Sequence, residues 1–310
     1  MKAIVMRAYG GPENLELAEV PEPKVGPDAV LVRVKAAGVN PVDWKIGRGY
    51  LDPMLYVYFP LTPGWDLAGV VERVGPGVTE FAPGDEVYAY ARMDYVQHGT
   101  YAEQAAVPVR ALAHKPASLD WRQSAGVPLT GLTAYRSLRA VGNPGAGQTV
   151  LVHAAAGGVG SFAVQLAVAA GARVIGTASE RNHDFLRSLG AEPVVYGDGL
   201  AERVRALAPD GVDAALDYVG GGAVAVSQEV VAGGDGSRIA SIVDGDVTKA
   251  GGHFVWARPD SADLAALADL ADQGKLAVHI DREFPLAETA EAWRASAEGR
   301  TRGKIVLTMS

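Results

Sequence analysis

The sequence predicts an α/β protein in which a β-rich unit is followed by a doubly wound parallel sheet with helices on both faces. Two patterns carry this. Over the first third, short runs rich in Val, Ala and Tyr are separated by Gly, Pro, Asn and Asp, which is how antiparallel strands and their turns read. After KPASLDWRQ, helical stretches alternate with short apolar runs, which is how βαβ units read. At 310 residues the chain has room for two domains of about 100–200 residues each.

In order, strands are expected at KAIVMRAY, NLELAEVP, AVLVRVKAAGV, AGVVERVG, DEVYAYAR and YAEQAAVP, punctuated by GGP, PEPKVGPD and PGVTEFAPGD. The second part gives strands at TVLVHAA, ARVIGTAS, PVVYG, VDAALDYVG and SRIASIV. Between them lie helices through SFAVQLAVAAG, RNHDFLRSLG and AERVRALA. The tail holds a helix at SADLAALADLADQG, a strand near KLAVHID, a helix at AETAEAWRASAEG and a last strand at KIVLTM.

Composition excludes several classes. With 48% hydrophobic and 21% charged residues, the chain is a folded globular protein and not a disordered one. A net charge of −8 without a dense Lys/Arg patch argues against nucleic acid or an anionic membrane as partner. No apolar run is long enough to span a bilayer, and MKAIVMRAYG meets charge too early for a signal peptide. The cytoplasm is the expected location. There is no cysteine, which removes disulfides, thiolate nucleophiles and Cys-ligated zinc.

One stretch carries chemistry directly. HAAAGGVG, His153 to Gly160, follows the apolar run TVLV and opens a helical pattern. A glycine-rich turn between strand and helix lets the backbone approach a pyrophosphate. The helix N-terminus, here expected near Val159, offers free N–H groups and a partial positive charge. Read as A-x-x-G-x-x-G from Ala154 through Gly157 to Gly160, the loop replaces the first glycine by alanine. That is tolerable where the turn does not need positive φ. Ala156, Gly157, Gly158, Val159 and Gly160 are the candidate phosphate contacts; a merely flexible turn is the plain alternative. About 20 residues on, an NAD-type site places an acid on the ribose 2′-OH. Here the strand is expected to end in Thr177-Ala178-Ser179, with Arg181 and His183 beside it. Ser179 and Arg181 would accommodate a 2′-phosphate, which favours NADPH. Glu180 would take the acidic role if the strand ended one residue later.

Taken together, these motifs resemble the zinc-free quinone oxidoreductase branch of the medium-chain dehydrogenase/reductase superfamily. The resemblance is carried by AAGVNPVDWKIGRG (36–49), PGWDLAGVVERVGPGVTEFAPGDEVYA (63–89), GTYAEQAAVP, PLTGLTAYRSL, HAAAGGVGSFAVQLA, RSLGAEPVVY, LDYVGG and GKIVLTM, in that order. It implies a GroES-like domain from 1–119 and 259–310, a Rossmann domain from 120–258, and NADPH in the cleft between them. The positions that hold catalytic zinc in the superfamily's alcohol dehydrogenases fall here on Asn40, Trp65 and Leu129, none of them a usual zinc ligand. His98, His114, His153, His183, His253 and His279 show no zinc-binding spacing. No metal is expected. Without a Lewis acid, the implied reaction is hydride transfer to an acceptor that is already electrophilic, a quinone or an unsaturated carbonyl.

The same resemblance places Asn40 beside the nicotinamide, with an Asn-Pro turn residue capping its own backbone as the plain alternative. It places Tyr50 facing substrate as a donor to a developing oxyanion, with a packing or solvent-exposed tyrosine as the alternative. Tyr56, Tyr58 and Phe59 would form an aromatic wall. Thr133 would contact the nicotinamide, with Thr130 one helical turn before it. Tyr196 would pack near the adenosine phosphate, and Gly220, Ile242 and Val243 would edge the cofactor cleft. Lys304 would close that cleft from the last strand, unless it is an ordinary surface residue. Asp43 and Asp66 are read as structural. GGHFVWA, 251–257, is apolar enough to be an edge strand, and the family's habit of pairing such edges implies a homodimer. Three functions compete: a quinone reductase, an enal or enone double-bond reductase, and a cofactor-binding sensor with little turnover.

Overall fold

The computed structural model describes residues 1–309. They form two compact units. One comprises Met1–Leu129, Arg258–Gly274 and the chain from Val278 on; the other comprises Thr130–Ala257 and Lys275–Ala277.

The first unit opens with β1 (Lys2–Val5), β2 (Glu16–Glu19) and the long β3 (Ala29–Val39). Helix α1 (Pro41–Gly47) follows, then β4 (Tyr56–Thr62), β5 (Asp66–Val74), β6 (Glu86–Tyr90), β7 (Tyr95–His98), β8 (Gln104–Pro108), β9 (Leu112–His114) and α2 (Trp121–Ala125). Alternation decides the faces. In β3, Val30, Val32 and Val34 point into a core shared with Leu67, Val71, Val87, Val107 and Leu112, while Arg33 faces water. Asn40 caps α1, and Pro41 takes the first helical position, where a missing N–H costs nothing.

The second unit contains α3 (Pro128–Ala140) from Thr130 on, β10 (Thr149–Val152), α4 (Gly158–Ala169) and β11 (Arg173–Thr177). Next come α5 (His183–Ser188), β12 (Ala191–Val194), α6 (Leu200–Leu207), β13 (Ala214–Asp217), α7 (Ala223–Val230), β14 (Ile239–Ser241) and β15 (His253–Phe254). Its strands pair in parallel in the order β12-β11-β10-β13-β14-β15. The order reverses between β10 and β13, as in a Rossmann sheet. Leu151, Ile175, Ala215 and Ile239 carry the core on one face, against Val204 of α6 and Val224 and Val230 of α7.

The chain then returns to the first unit with α8 (Ser261–Asp272), β16 (Ile280–Pro285), α9 (Thr289–Ala297) and β17 (Lys304–Thr308). There the sheet order is β16-β17-β3-β5-β6-β9, with β8 also on β3. Among the described residues, no helix is long and apolar enough to cross a membrane.

Several expectations shift. The boundary expected at 119/120 lies at 129/130, because α2 packs on β3, β5 and β17. The tail strand expected near KLAVHID begins later, at Ile280. PVVYG contributes only its first two residues to β12, which starts at Ala191. The edge strand in 251–257 is only His253–Phe254, at the end of its sheet, with Phe254 and Trp256 exposed. Strands β4, β7 and β9 were not expected.

Candidate active site

In the second unit, the candidate residues apart from Thr130 and Thr133 follow the carboxyl ends of the parallel strands. β10 ends at Val152 and the chain turns through Ala154, whose φ is +52°. The condition under which alanine would be tolerable here, a turn that does not need positive φ, is therefore not met. Ala154 sits in the left-handed region, at a cost of roughly 1–2 kcal/mol for a residue with a Cβ. Two bonds hold it there: its amide donates to Thr177 Oγ1 at 3.0 Å, and its carbonyl accepts from Gly157 N at 3.0 Å. Gly157 caps α4, and the first intrahelical bond runs from Ser161 N to Gly157 O. The amides of Gly158, Val159 and Gly160 precede that bond, so they are the open donors an anion would meet. Ala156 is buried under the turn. Gly160 is obligatory: a Cβ there would stand 2.3 Å from Ala154 O.

His153, the first residue of this loop, is a core residue. Its Nε2 lies 3.0 Å from Ser227 Oγ, whose proton goes to Ala223 O, and burial pushes the imidazole down to about 4.

The strand expected to run to Ser179 ends at Thr177. Its tip is thus a buried threonine whose oxygen is already engaged by Ala154 N. Ser179 lies beyond it, capping a short turn in which its carbonyl accepts from Asn182 N at 2.8 Å. Glu180 and Arg181 are both exposed in that turn. Tyr196 is 59% exposed, past the end of β12. Thr130 and Thr133 are buried on α3. Gly220, at φ +74°, stands at the end of β13, with Ile242 and the exposed Val243 at the end of β14.

In the first unit the candidates Asn40 and Lys304 belong to a buried polar cluster. Asn40 is 1% exposed. Its Nδ2 donates to Asp66 Oδ2 at 2.8 Å, its Oδ1 accepts from Lys304 Nζ at 2.5 Å, and its backbone N donates to Asp43 Oδ2 at 2.7 Å. Lysine can only donate, which fixes the orientation of the amide. Asp66 Oδ1 accepts from Leu129 N at 2.9 Å, so Asn40 and Leu129 meet on one carboxylate next to Trp65. Tyr101 donates to Asp43 Oδ2 at 2.6 Å, and Lys304 also donates to Val39 O at 3.0 Å.

Two carboxyls and one ammonium are thus shut away from water. Burial pushes Asp66 up to about 7, against the pull of Lys304 and the Asn40 amide, and pushes Asp43 up to about 6, against the Tyr101 bond. Burial lowers Lys304, and the two aspartates oppose it. Lys304 was expected either to close the cofactor cleft or to lie on the surface. It is not a surface residue: it is 3% exposed, with its ammonium turned into this cluster. Tyr50 is placed apart from these groups in environment, at 63% exposure in the loop after α1. Tyr56 and Tyr58 are exposed too, and Phe59 stacks edge-on against Tyr9 at 5.0 Å.

Sequence reasoning did not assign Asp217 or Ser241, both fully buried at the ends of β13 and β14. An Asp between an apolar run and a Gly pair was the available signal, since such a carboxylate bonds its own following backbone.

Residues 26–117 match the family described as alcohol dehydrogenase GroES-like domain, and residues 189–307 the one described as zinc-binding dehydrogenase. The second description implies a metal, but the donor set does not fit one. Among the described residues no three His, Cys, Asp or Glu side chains are grouped to hold an ion. The chain is 32% identical over 329 residues to a chloroplast envelope quinone oxidoreductase homolog of Arabidopsis thaliana, covering 99% of this chain and 98% of that one. It is 36% identical over 321 residues to the NADPH-dependent alkenal/one oxidoreductase of the same plant, covering 99% and 79%. The solved quinone oxidoreductase from Coxiella burnetii superposes with a TM-score of 0.86 at 32% identity, covering 100% and 99%. With both units, the strand-order reversal and the glycine-bearing turn in place, the chain belongs to the zinc-free quinone oxidoreductase branch of the medium-chain dehydrogenase/reductase superfamily and is an oxidoreductase that uses a nicotinamide cofactor.

Proposed function

We propose that the protein is an NADPH-dependent quinone reductase that works without a metal ion. The observation that carries this reading is the pair of strand ends at β10 and β11. The open amides of Gly158, Val159 and Gly160 suit a pyrophosphate. The tip of β11 is Thr177 and not an acid, with Ser179 and Arg181 following in an exposed turn suited to a 2′-phosphate. Bound there, NADPH supplies a hydride; a quinone that takes it and one proton leaves as the hydroquinone. The proton can come from water, so no strong base is required.

Asn40 keeps one N–H beyond its bonds to Asp66 and Lys304, and we assign it to orienting the nicotinamide or the acceptor carbonyl. Tyr50 carries an exposed phenol suited to a developing oxyanion. Thr130, Thr133, Tyr196 and Lys304 complete the proposed cofactor side, Lys304 through Asn40. A homodimer formed through the β15 edge is supported by its unpaired side and the exposed Phe254 and Trp256. Sedimentation as a monomer at micromolar concentration would remove that part.

A second reading, reduction of the double bond of an enal or enone, is favoured by the likeness to an alkenal/one oxidoreductase. The deciding experiment follows NADPH oxidation with a polycyclic quinone and, in parallel, a 2-alkenal, with NADH as the cofactor control. Fast quinone-dependent loss of NADPH with slow NADH supports the first reading. Turnover of the alkenal alone supports the second. Equal use of NADH would transfer the ribose contact to Glu180. A kcat/KM unchanged in both Asn40→Ala and Tyr50→Phe would remove these residues from the site.

A further inference from the structure

Two neighbouring strands of the second unit end in one hydrogen-bonded knot. Asp217 closes β13 and Ser241 closes β14, and neither is exposed. Asp217 Oδ1 accepts from the amides of Val219 and Gly220, both at 2.8 Å, and Oδ2 accepts from the Ser241 hydroxyl at 2.7 Å. Ser241 Oγ in turn accepts from the amides of Val243 at 3.2 Å and Asp244 at 2.9 Å. The Asp217 carbonyl also accepts from Ile242 N at 3.2 Å. One carboxylate and one hydroxyl therefore satisfy four loop amides that would otherwise lack a protein acceptor. The two loops also touch, since a Cβ on Gly220 would lie 3.3 Å from Val243 Cγ2.

The strand order says what these loops are for. A doubly wound sheet binds a dinucleotide outside the carboxyl ends of its strands, one mononucleotide half to each side of the reversal. The reversal here falls between β10 and β13, and the phosphate loop belongs to the β10-β11-β12 side. The nicotinamide half falls to β13, β14 and β15.

We propose that Asp217 and Ser241 form a positioning pair for the nicotinamide half of the cofactor. Neither touches the cofactor; they set the two loops that edge it before it arrives. This rests on the assignment of a nicotinamide cofactor to the second unit. Ser241→Ala removes the acceptor of two amides and the donor to Asp217. Asp217→Asn turns an amide N–H toward a hydroxyl oxygen that already accepts twice, overloading it.

The test compares two ligands on wild type and both variants by calorimetry: NADPH, and adenosine 2′,5′-bisphosphate, which lacks the whole nicotinamide mononucleotide half. The expected result is a rise of about tenfold in the Kd for NADPH, the size of one lost hydrogen bond in a preorganised site, with the Kd for the fragment unchanged. Equal weakening of both ligands, or of neither, would overturn the pair's role and leave it a purely structural tie. Should the variants not fold, hydrogen exchange on the wild type serves instead. The amides of Val219, Gly220, Val243 and Asp244 should be protected before any ligand is added. Free exchange of these amides in the ligand-free protein refutes preorganisation. A failure of the cofactor assignment looks different: wild type would bind neither NADPH nor NADH, and the proposal would fall with it.

Discussion

Replacing Lys304 by Met tests the buried cluster at its centre. Methionine is close in volume but leaves Asp66 and Asp43 without their cation. It also strips Asn40 Oδ1 and Val39 O of a donor. Removing one partner of a buried ion pair costs about 3–5 kcal/mol, because the remaining charge is uncompensated. The cost should depend on pH, with a definite sign. In the wild type, burial holds Asp66 at about 7 and Asp43 at about 6, above the ordinary 3.8. A carboxyl raised on folding retains its proton in the native state after the unfolded chain has lost it. Its contribution is complete below the unfolded value and is lost as pH rises through the folded one. Without Lys304 both carboxyls should rise further. At pH near 5 the variant holds them neutral and loses little beyond two hydrogen bonds, about 2 kcal/mol in all. At pH near 8 it carries the full ionic penalty. Urea unfolding at the two pH values measures this, and thermal melts should separate by an extra several degrees at the higher pH. A loss equal at both pH values, or larger at the acidic one, would refute an ionic role for Lys304.

The other predictions concern single contacts. Asp66→Asn sets an amide N–H against either Leu129 N or Asn40 Nδ2 and should cost about 1–3 kcal/mol by denaturant titration. Ala154→Gly should leave the melting temperature level or slightly higher, since relief of about 1 kcal/mol of strain is offset by unfolded-chain entropy. Ala154→Val should cost about 1–3 kcal/mol at the same positive φ, so equal melting of the two variants would contradict the left-handed turn. Gly160→Ala drives a Cβ into Ala154 O and should lose about 1–3 kcal/mol together with most of the NADPH affinity, read by calorimetry. Burial holds His153 neutral down to about 4, so its contribution to stability, present above its unfolded value of 6.5, should fall away as pH drops toward 4. His153→Gln should flatten that part of the acid-unfolding curve.

Much of the fold was legible because the periods were clean. β3 sets Arg33 and Lys35 between valines in an otherwise apolar run, and β10, β11 and β13 are short apolar runs between helices. The strands that escaped notice broke those rules. β4 carries Tyr56 and Tyr58 on its exposed face and Phe59 and Leu61 on the other, so aromatic residues on both faces hid the alternation. β9 is three residues long. The glycine-rich turn was legible in position but not in backbone, because no sequence pattern reveals the positive φ at Ala154. Lys304 was out of reach for a different reason. Its partner Asn40 is 264 positions away, and no local pattern tells a lysine opening a strand that its ammonium will be buried.

That burial bears on the chemistry. At the three positions that the resemblance aligns with the metal ligands of the superfamily's zinc enzymes, this chain carries an amide, an indole and an isobutyl group, at Asn40, Trp65 and Leu129. The carboxylate beside them, Asp66, is satisfied by a peptide N–H and the Asn40 amide. The positive charge of the cluster, on Lys304, is committed to Val39 O and Asn40 Oδ1 and lies among two aspartates. It is a poor electrophile for a nascent alkoxide, because stabilising one would mean leaving partners that already compensate it. If the proposed placement of the acceptor beside Asn40 holds, that acceptor has to carry its own developing charge. A quinone does so by delocalising it into a forming aromatic ring, and an unsaturated carbonyl by delocalising it into an enolate, whereas a simple ketone cannot. The buried lysine is thus in keeping with the class of acceptor proposed above. A Lys304→Met protein that gained ketone reduction would contradict this link.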